Sequence, residues 1–250
     1  VKKNIYICSM KTITLTIFTT LTVFLTDIAN LLNFNQCEDT FEVIYTSPAV
    51  EISTNGAVDI LKFDPTKTNF GVSEGKPNNT NFYLNTNFFT PTGDPIGLVV
   101  VDGKRKSNRV KGGAYFYVRN GEAHVKSKSC PYDTKFATQT ILWGIDNKKI
   151  NLPLTRKSHA NKLRSRILVG ENTKGEIVIL VSRIRLTIKE LLMVGVNQNI
   201  VDGALFDGGS SVEYSFNDGE FSRSFKAMSD VVKMVSKTKQ QPTFMTANVK

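Results

Sequence analysis

The chain has 250 residues, 40% of them hydrophobic and 22% charged. These fractions sit near the averages of soluble globular proteins and exclude a disordered polymer or a multispan membrane protein. A formal net charge of +10 favours anionic partners, whether nucleic acid, acidic lipid headgroups or phosphate-bearing glycans. With two histidines, His124 and His159, and three cysteines that form no Cys-x-x-Cys pair, a multi-histidine metal site is excluded and a structural zinc or thioredoxin-type redox site is disfavoured.

In chain order, Lys2, Lys3 and Lys11 precede an uncharged run over residues 13–25 that is followed by Asp27. That is the layout of a signal peptide, so residues 1–30 read as a signal peptide or signal anchor and residues 38–250 as the folded domain. The run is shorter than the ~20 residues that a spanning helix needs. Extended to residue 32 it would make a poor anchor, so membrane anchoring through residues 13–32 stands beside cleavage, and a buried first helix beside both. Loss of this segment would leave Cys37 and Cys130 as a disulfide in an oxidising compartment or as two free thiols.

From about residue 40, short β-branched or aromatic runs alternate with turn dipeptides, the pattern of strands joined by hairpins. Residues 58–63 predict a strand ending at Asp64-Pro65. Residues 96–101 turn at Asp102-Gly103, residues 114–118 turn at Asn120-Gly121, and residues 166–169 meet residues 176–181 across Lys174-Gly175. Helical periodicity is clearest over 187–196, with Thr187 as N-cap and Ile188, Leu191, Leu192 and Val196 on one face. Residues 201–206 predict a short buried strand that feeds into Asp207-Gly208-Gly209-Ser210-Ser211, which is too polar and glycine-rich to continue it. The stretch 226–237 mixes helix and strand signals, and the polar tail from Thr238 reads as loose.

The series Asn85-Thr86-Asn87-Phe88-Phe89, Gly97-Leu98 with Asp102-Gly103-Lys104, Ala137-Thr138-Gln139, Arg166 through Gly170, and Ala204-Leu205-Phe206-Asp207-Gly208-Gly209-Ser210-Ser211 resembles the phosphodiester glycosidase family. The order covers roughly residues 45–216, and the Leu-x-Asp-Gly-Gly-Ser-Ser run is its most specific piece. The resemblance implies a single domain on a central twisted sheet. With the elements above, the expected fold class is α+β, a mixed β-sheet flanked by helices. It also implies hydrolysis of a glycosyl phosphodiester at the anomeric carbon. No cofactor and no metal are expected; a carboxylate-held metal is left open, although no loop follows the calcium-binding spacing.

Carried over by motif, the resemblance implies Asp207, Arg166 and Asn85 as catalytic residues and Gln139, Gly208, Gly209 and Ser210 as substrate-binding ones. Ser158 and Ser182 stand where related bacterial sequences often show serine. Three departures stand out: the larger Thr86 and Asn87 after Asn85, Thr140-Ile141-Leu142 in place of Gly-Pro after Gln139, and the bulky Ile167 and Leu168 before Gly170.

These residue types suit the chemistry. A phosphate leaving group has low proton affinity and little need of a general acid, so one carboxylate can suffice. Asp207 beside two glycines is the expected base or nucleophile, although an Asp-Gly pair also closes ordinary turns. Arg166 offers a bidentate fork for phosphate, or a plain surface charge. Asn85 and Gln139 can donate and accept to sugar hydroxyls. Phe88 and Phe89 suit an apolar wall for a sugar ring, or the core. The expected partner is a sugar phosphodiester or phosphorylated glycan and not nucleic acid, the expected setting is extracytoplasmic, and the alternative is a non-catalytic binding module for phosphorylated or anionic glycans.

Overall fold

A computed structural model describes residues 40–127, 129–227 and 243–249. The segment read as signal peptide or anchor lies outside the described residues, as does Cys37. Cys130 is a buried thiol. Among the described residues, no helix is long and apolar enough to cross a membrane.

The largest sheet has eight strands. In spatial order they are β1 (Glu42–Thr46), β2 (Val50–Thr54), β3 (Val58–Phe63), β14 (Ile177–Ser182), β13 (Ile167–Asn172), β15 (Ile200–Leu205), β11 (Leu142–Asp146) and β12 (Lys149–Ile150). A five-stranded sheet follows the order β7 (Lys104–Ser107), β6 (Val99–Val101), β10 (Phe136–Thr140), β8 (Ala114–Arg119), β9 (Glu122–Ser127). The third runs β17 (Ser222–Lys226), β16 (Glu213–Asn217), β5 (Phe82–Asn85), β18 (Thr243–Val249), β4 (Thr68–Glu74). Against these stand a single-turn helix, α1 (Leu152–Thr155), and one longer helix, α2 (Ile188–Asn197).

The expected α+β class, a mixed sheet flanked by helices, is therefore corrected: the described chain is mostly β, built of three antiparallel sheets. The reason lies in what covers the large sheet. Strand β14 is buried along its whole length. Its Ile177, Ile179 and Val181 join a core cluster with Phe70, Phe82 and Phe216 of the third sheet and Val99, Phe116 and Val125 of the second. Its Val178 and Leu180 face the opposite way, into a cluster with Ile188, Leu191 and Leu192 of α2. One face of the sheet is thus covered by other sheets and only the opposite face by helix, an arrangement that two-residue alternation permits.

Thr187 caps α2 as expected, its hydroxyl accepting from the Glu190 N–H while the Glu190 carboxylate accepts from the Thr187 N–H, a reciprocal capping box. The tail reads differently from expectation. Residues 243–249 are an interior strand, β18, hydrogen-bonded to β4 on one side and β5 on the other, with Phe244, Met245 and Ala247 buried. A run of Lys, Gln and Pro ahead of it hides its apolar residues from a composition reading.

The bulky departures find places in this frame. Ile167 packs in the inner cluster and Leu168 in the helix-side cluster. The start of β13 and the ends of β14 and β15 lie together at one end of the large sheet, since Ile167 pairs with Val181 and Leu168 with Leu205. That end carries the loop beginning at Asp207.

Candidate active site

Phe206 continues β15 by donating its N–H to the Ile167 carbonyl (3.2 Å), and the chain then leaves the sheet. Two bonds fix the departure: the Asp207 N–H donates to the Thr86 carbonyl (2.9 Å), and Asn85 Nδ2 donates to the Asp207 carbonyl (3.1 Å). Gly208 runs against the neighbouring segment so closely that a Cβ would stand 2.9 Å from the Ser165 carbonyl oxygen. Gly209 adopts φ +71°, a left-handed conformation that favours glycine, and donates to the same carbonyl (2.8 Å). A short 3-10 turn, Gly209–Ser211, follows.

This geometry presents the Asp207 carboxyl to a cleft of about 310 Å³ lined by Phe88, Ile141, His159, Lys162, Arg164 and Arg166, among others. Burial raises the Asp207 pKa to about 6, against the smaller opposing pull of hydrogen bonds from the Ser211 hydroxyl and the Gly208 N–H. No lysine or arginine among the described residues forms a salt bridge with Asp207. The rest of the rim is cationic. Lys162 and Arg164 are exposed and have no carboxylate within salt-bridge distance among the described residues, and Arg164 Nη1 lies 3.6 Å from where a Cβ would sit on Gly209. His159 is held below its ordinary pKa by partial burial and by the charges of Lys157, Arg166 and Lys162.

Arg166 lines the same cleft but is committed elsewhere. Its Nη2 donates to the carbonyls of His159 (3.0 Å) and Lys162 (2.7 Å), and its Nε to that of Leu186 (3.4 Å). Burial and the neighbouring Arg164 pull its pKa down. The side chain thus folds the loop 159–166 over itself and so aims Lys162 and Arg164. Ser182, fully buried, accepts from the Arg166 N–H (2.5 Å) and locks that strand end.

Asn85 and Gln139 also act through backbone. Asn85 is 1% exposed, bound to the Asp207 carbonyl through Nδ2 and to the Glu213 N–H through Oδ1 (2.8 Å). Gln139 has all its polar capacity engaged: Oε1 accepts from the N–H groups of Leu98 and Val110, and Nε2 donates to the carbonyls of Val110 and Gly112. Beside it, Asn87 Oδ1 accepts from the hydroxyls of Thr86, Thr138 and Thr243, while Asn87 Nδ2 donates to the Gln139 carbonyl (2.7 Å). The larger residues after Asn85 are thereby absorbed into a buried polar network that ties β5 to β10 and β18. Thr140 Oγ1 donates to the Leu205 carbonyl and braces β15 just before Asp207.

Of the expected site residues, the structure gathers Asp207, Gly208 and Arg166 on the cleft wall, with Gly209 in the adjoining turn. Asn85 and Ser182 support that wall from behind. Ser210 is exposed in the turn, and Ser158 is exposed in the loop before His159. Gln139 does not line the cleft. Ser211, rather than Ser210, reaches the Asp207 carboxyl. The motif assigns Arg166 alone from the basic stretch Arg156, Lys157, Lys162, Arg164 and Arg166, and leaves Lys162, Arg164 and His159 out of the site. Their grouping ahead of the Arg166 motif was the available signal. Among the described residues, no three His, Cys, Asp or Glu side chains group as metal ligands.

Comparisons with known proteins agree with this geometry at the level of fold and family. The catalytic domain of zebrafish N-acetylglucosamine-1-phosphodiester alpha-N-acetylglucosaminidase, auto-inhibited by its pro-peptide, superposes with a TM-score of 0.63 at 14% identity, over 84% of this chain and 82% of that one. A hypothetical protein from Synechocystis superposes with a TM-score of 0.60 at 10% identity, over 84% of this chain and 64% of that one. No curated protein sequence matches the chain. The phosphodiester glycosidase profile matches residues 78–236, more than half of the chain and the stretch that holds Asn85, Gln139, Arg166 and the Asp207 turn, and the chain therefore belongs to the phosphodiester glycosidase family.

Proposed function

We propose that this chain is an exported hydrolase that cleaves a glycosyl phosphodiester, releasing a free sugar and a phosphate monoester. The observation that carries the reading is the single Asp207 carboxyl, raised to a pKa of about 6, at a cleft whose other charged groups are cations. A pKa near 6 leaves the group mostly ionised at neutral pH yet more basic than an ordinary aspartate, which suits a general base. Export is supported by the basic and apolar layout of residues 1–30.

In the proposed step, Asp207 takes a proton from a water that attacks the anomeric carbon. The bond from that carbon to the phosphodiester oxygen breaks, and its electron pair leaves with the phosphate. Lys162 and Arg164 at the cleft mouth stabilise the departing monoester, and Arg166 adds its charge while holding their loop. Phe88 and Ile141 offer apolar surface to the sugar ring. Asn85 is a positioning residue that fixes Asp207 through its backbone carbonyl. The zebrafish enzyme's name supplies the first substrate to test, an N-acetylglucosamine 1-phosphodiester.

The test is release of reducing sugar from methyl N-acetylglucosamine 1-phosphate by the wild type and by Asp207→Asn. Release that disappears in a folded variant supports the reading. No release from this or from a panel of other sugar 1-phosphodiesters would sink it and favour non-catalytic binding of phosphorylated glycans.

A further inference from the structure

The cleft does not end at Ile141 and Leu142. These two residues also border a second groove, of about 570 Å³, that continues along β11 and α1 and is lined by Ile150, Leu152, Pro153 and Leu154. Ile141 is 42% exposed and Leu152 is 55% exposed. Large aliphatic side chains kept in water along two adjoining grooves that share Ile141 and Leu142 cost solvation and suit an apolar occupant.

The amide and the carboxylate in this groove already bond within the protein. Asn151 donates through Nδ2 to the Trp143 carbonyl (3.0 Å) and accepts from the Leu154 N–H (3.4 Å) as the cap of α1. Asp146 accepts from Ser127 Oγ (2.8 Å). Trp143 borders the groove, but its side chain packs with the inner core cluster on the far side of the strand. The groove therefore lacks the open aromatic face with which a protein holds a sugar ring. What remains is aliphatic wall with three charged residues, Asp146, Lys149 and Lys157, in its lining. The segment from Asn147 to Arg166 carries seven lysine and arginine residues and no carboxylate, which matches the phosphate end of an occupant.

We propose that the leaving group of the substrate is the phosphate ester of a hydrophobic alcohol, whose alkyl chain lies in this groove while its phosphate sits at Lys162 and Arg164. The inference rests on the reading of the Asp207 cleft as a glycosyl phosphodiesterase site. The reaction balances as above: water adds to the anomeric carbon, the glycosyl C–O bond breaks, and an alkyl phosphate departs.

The experiment compares kcat/KM for methyl, butyl and octyl esters of N-acetylglucosamine 1-phosphate, in the wild type and in Leu152→Asp. A fully buried methylene is worth roughly a three- to fourfold gain in affinity, so the octyl ester should exceed the methyl ester by at least about tenfold even with partial burial. Leu152→Asp should flatten that rise and leave methyl ester turnover and the melting temperature unchanged, because the side chain is more than half exposed. Equal rates for all three esters in the wild type would overturn the groove assignment and leave the hydrolase reading standing. No turnover of any ester, nor of the other sugar 1-phosphodiesters, would overturn the hydrolase reading. In that case titration with methyl and octyl phosphate still decides the groove, and equal affinities would dismiss it.

Discussion

Two aspartates at the same end of the large sheet meet opposite fates. Asp59, on β3, is fully buried and surrounded by donors: Arg183 Nη1 (2.9 Å), Arg223 Nη2 (2.7 Å) and Nε (3.1 Å), and the Tyr214 hydroxyl. Its burial alone would raise the carboxyl pKa, but hydrogen bonds from Arg223, Tyr214 and Arg183 more than offset that and hold it below the ordinary range. Asp207 has only the Ser211 hydroxyl and the Gly208 N–H to set against burial, so burial wins and its pKa rises to about 6. The same residue type thus serves as a charge clamp across three strands in one place and, in the proposed mechanism, as the general base in the other. The count of compensating cations decides which.

The comparison breaks most visibly at the two carboxylates themselves. Asp207→Asn should lower kcat by a factor of about 10³ or more with the fold intact, since base catalysis alone typically contributes 10²–10⁴. Circular dichroism and a turnover assay on one preparation check both halves. Asp59→Asn should do the reverse. It leaves two arginines facing a neutral amide beneath a buried tyrosine, and removal of one partner of a buried ion cluster costs about 3–5 kcal/mol. For a domain of this size the melting temperature should fall by on the order of 10 °C. An Asp59→Asn protein that melts like the wild type would mean that the clamp contributes nothing.

The arginines sharpen the contrast at a smaller scale. Arg164→Ala should lower kcat/KM by about 10- to 100-fold with stability unchanged, because its exposed guanidinium is proposed to meet phosphate and makes no hydrogen bond or ion pair among the described residues. Arg166→Gln should instead lower the melting temperature together with activity, since it releases the carbonyls of His159, Lys162 and Leu186. Loss of activity in Arg166→Gln at an unchanged melting temperature would transfer the phosphate contact from Arg164 to Arg166.

The sequence reveals this site unevenly, for physical reasons. The Asp207 turn is legible because it depends on local chemistry: a buried strand, one glycine pressed against a neighbouring carbonyl, one at positive φ, and a short polar run. Hairpins such as β8–β9 and β13–β14, and the cap of α2, are legible for the same reason. The roles of Gln139 and Asn85 are not, because an amide that binds backbone 27 to 128 residues away in the chain looks the same in sequence as one aimed at a sugar. The packing of three sheets is hidden too. Alternating apolar residues announce a buried face but not whether helix or sheet covers it. Asp59 reads as an unremarkable strand residue, since its partners lie 124 and 164 positions away.

The smallest effect bears on the cost of keeping Asp207 undercompensated. Its folded pKa of about 6 lies above the ordinary aspartate value of 3.8, so between those pH values the folded chain binds more protons than the unfolded chain. Stability from this group is then full below about pH 4, declines as pH rises through 6, and is lost above it. A two-unit shift corresponds to a ceiling of about 3 kcal/mol. With one side of the carboxyl open to solvent, about 1–2 kcal/mol is the expected effect. Asp207→Asn removes the ionisation, so the variant should be more stable than the wild type by that amount at pH 7.5 and should lose its advantage at pH 4. Urea midpoints for the two proteins at pH 4, 6 and 7.5 measure this directly. A variant that is less stable at pH 7.5 would show that the Ser211 and Gly208 hydrogen bonds to the charged carboxylate outweigh its burial, and that Asp207 resembles Asp59 more closely than the contrast between them allows.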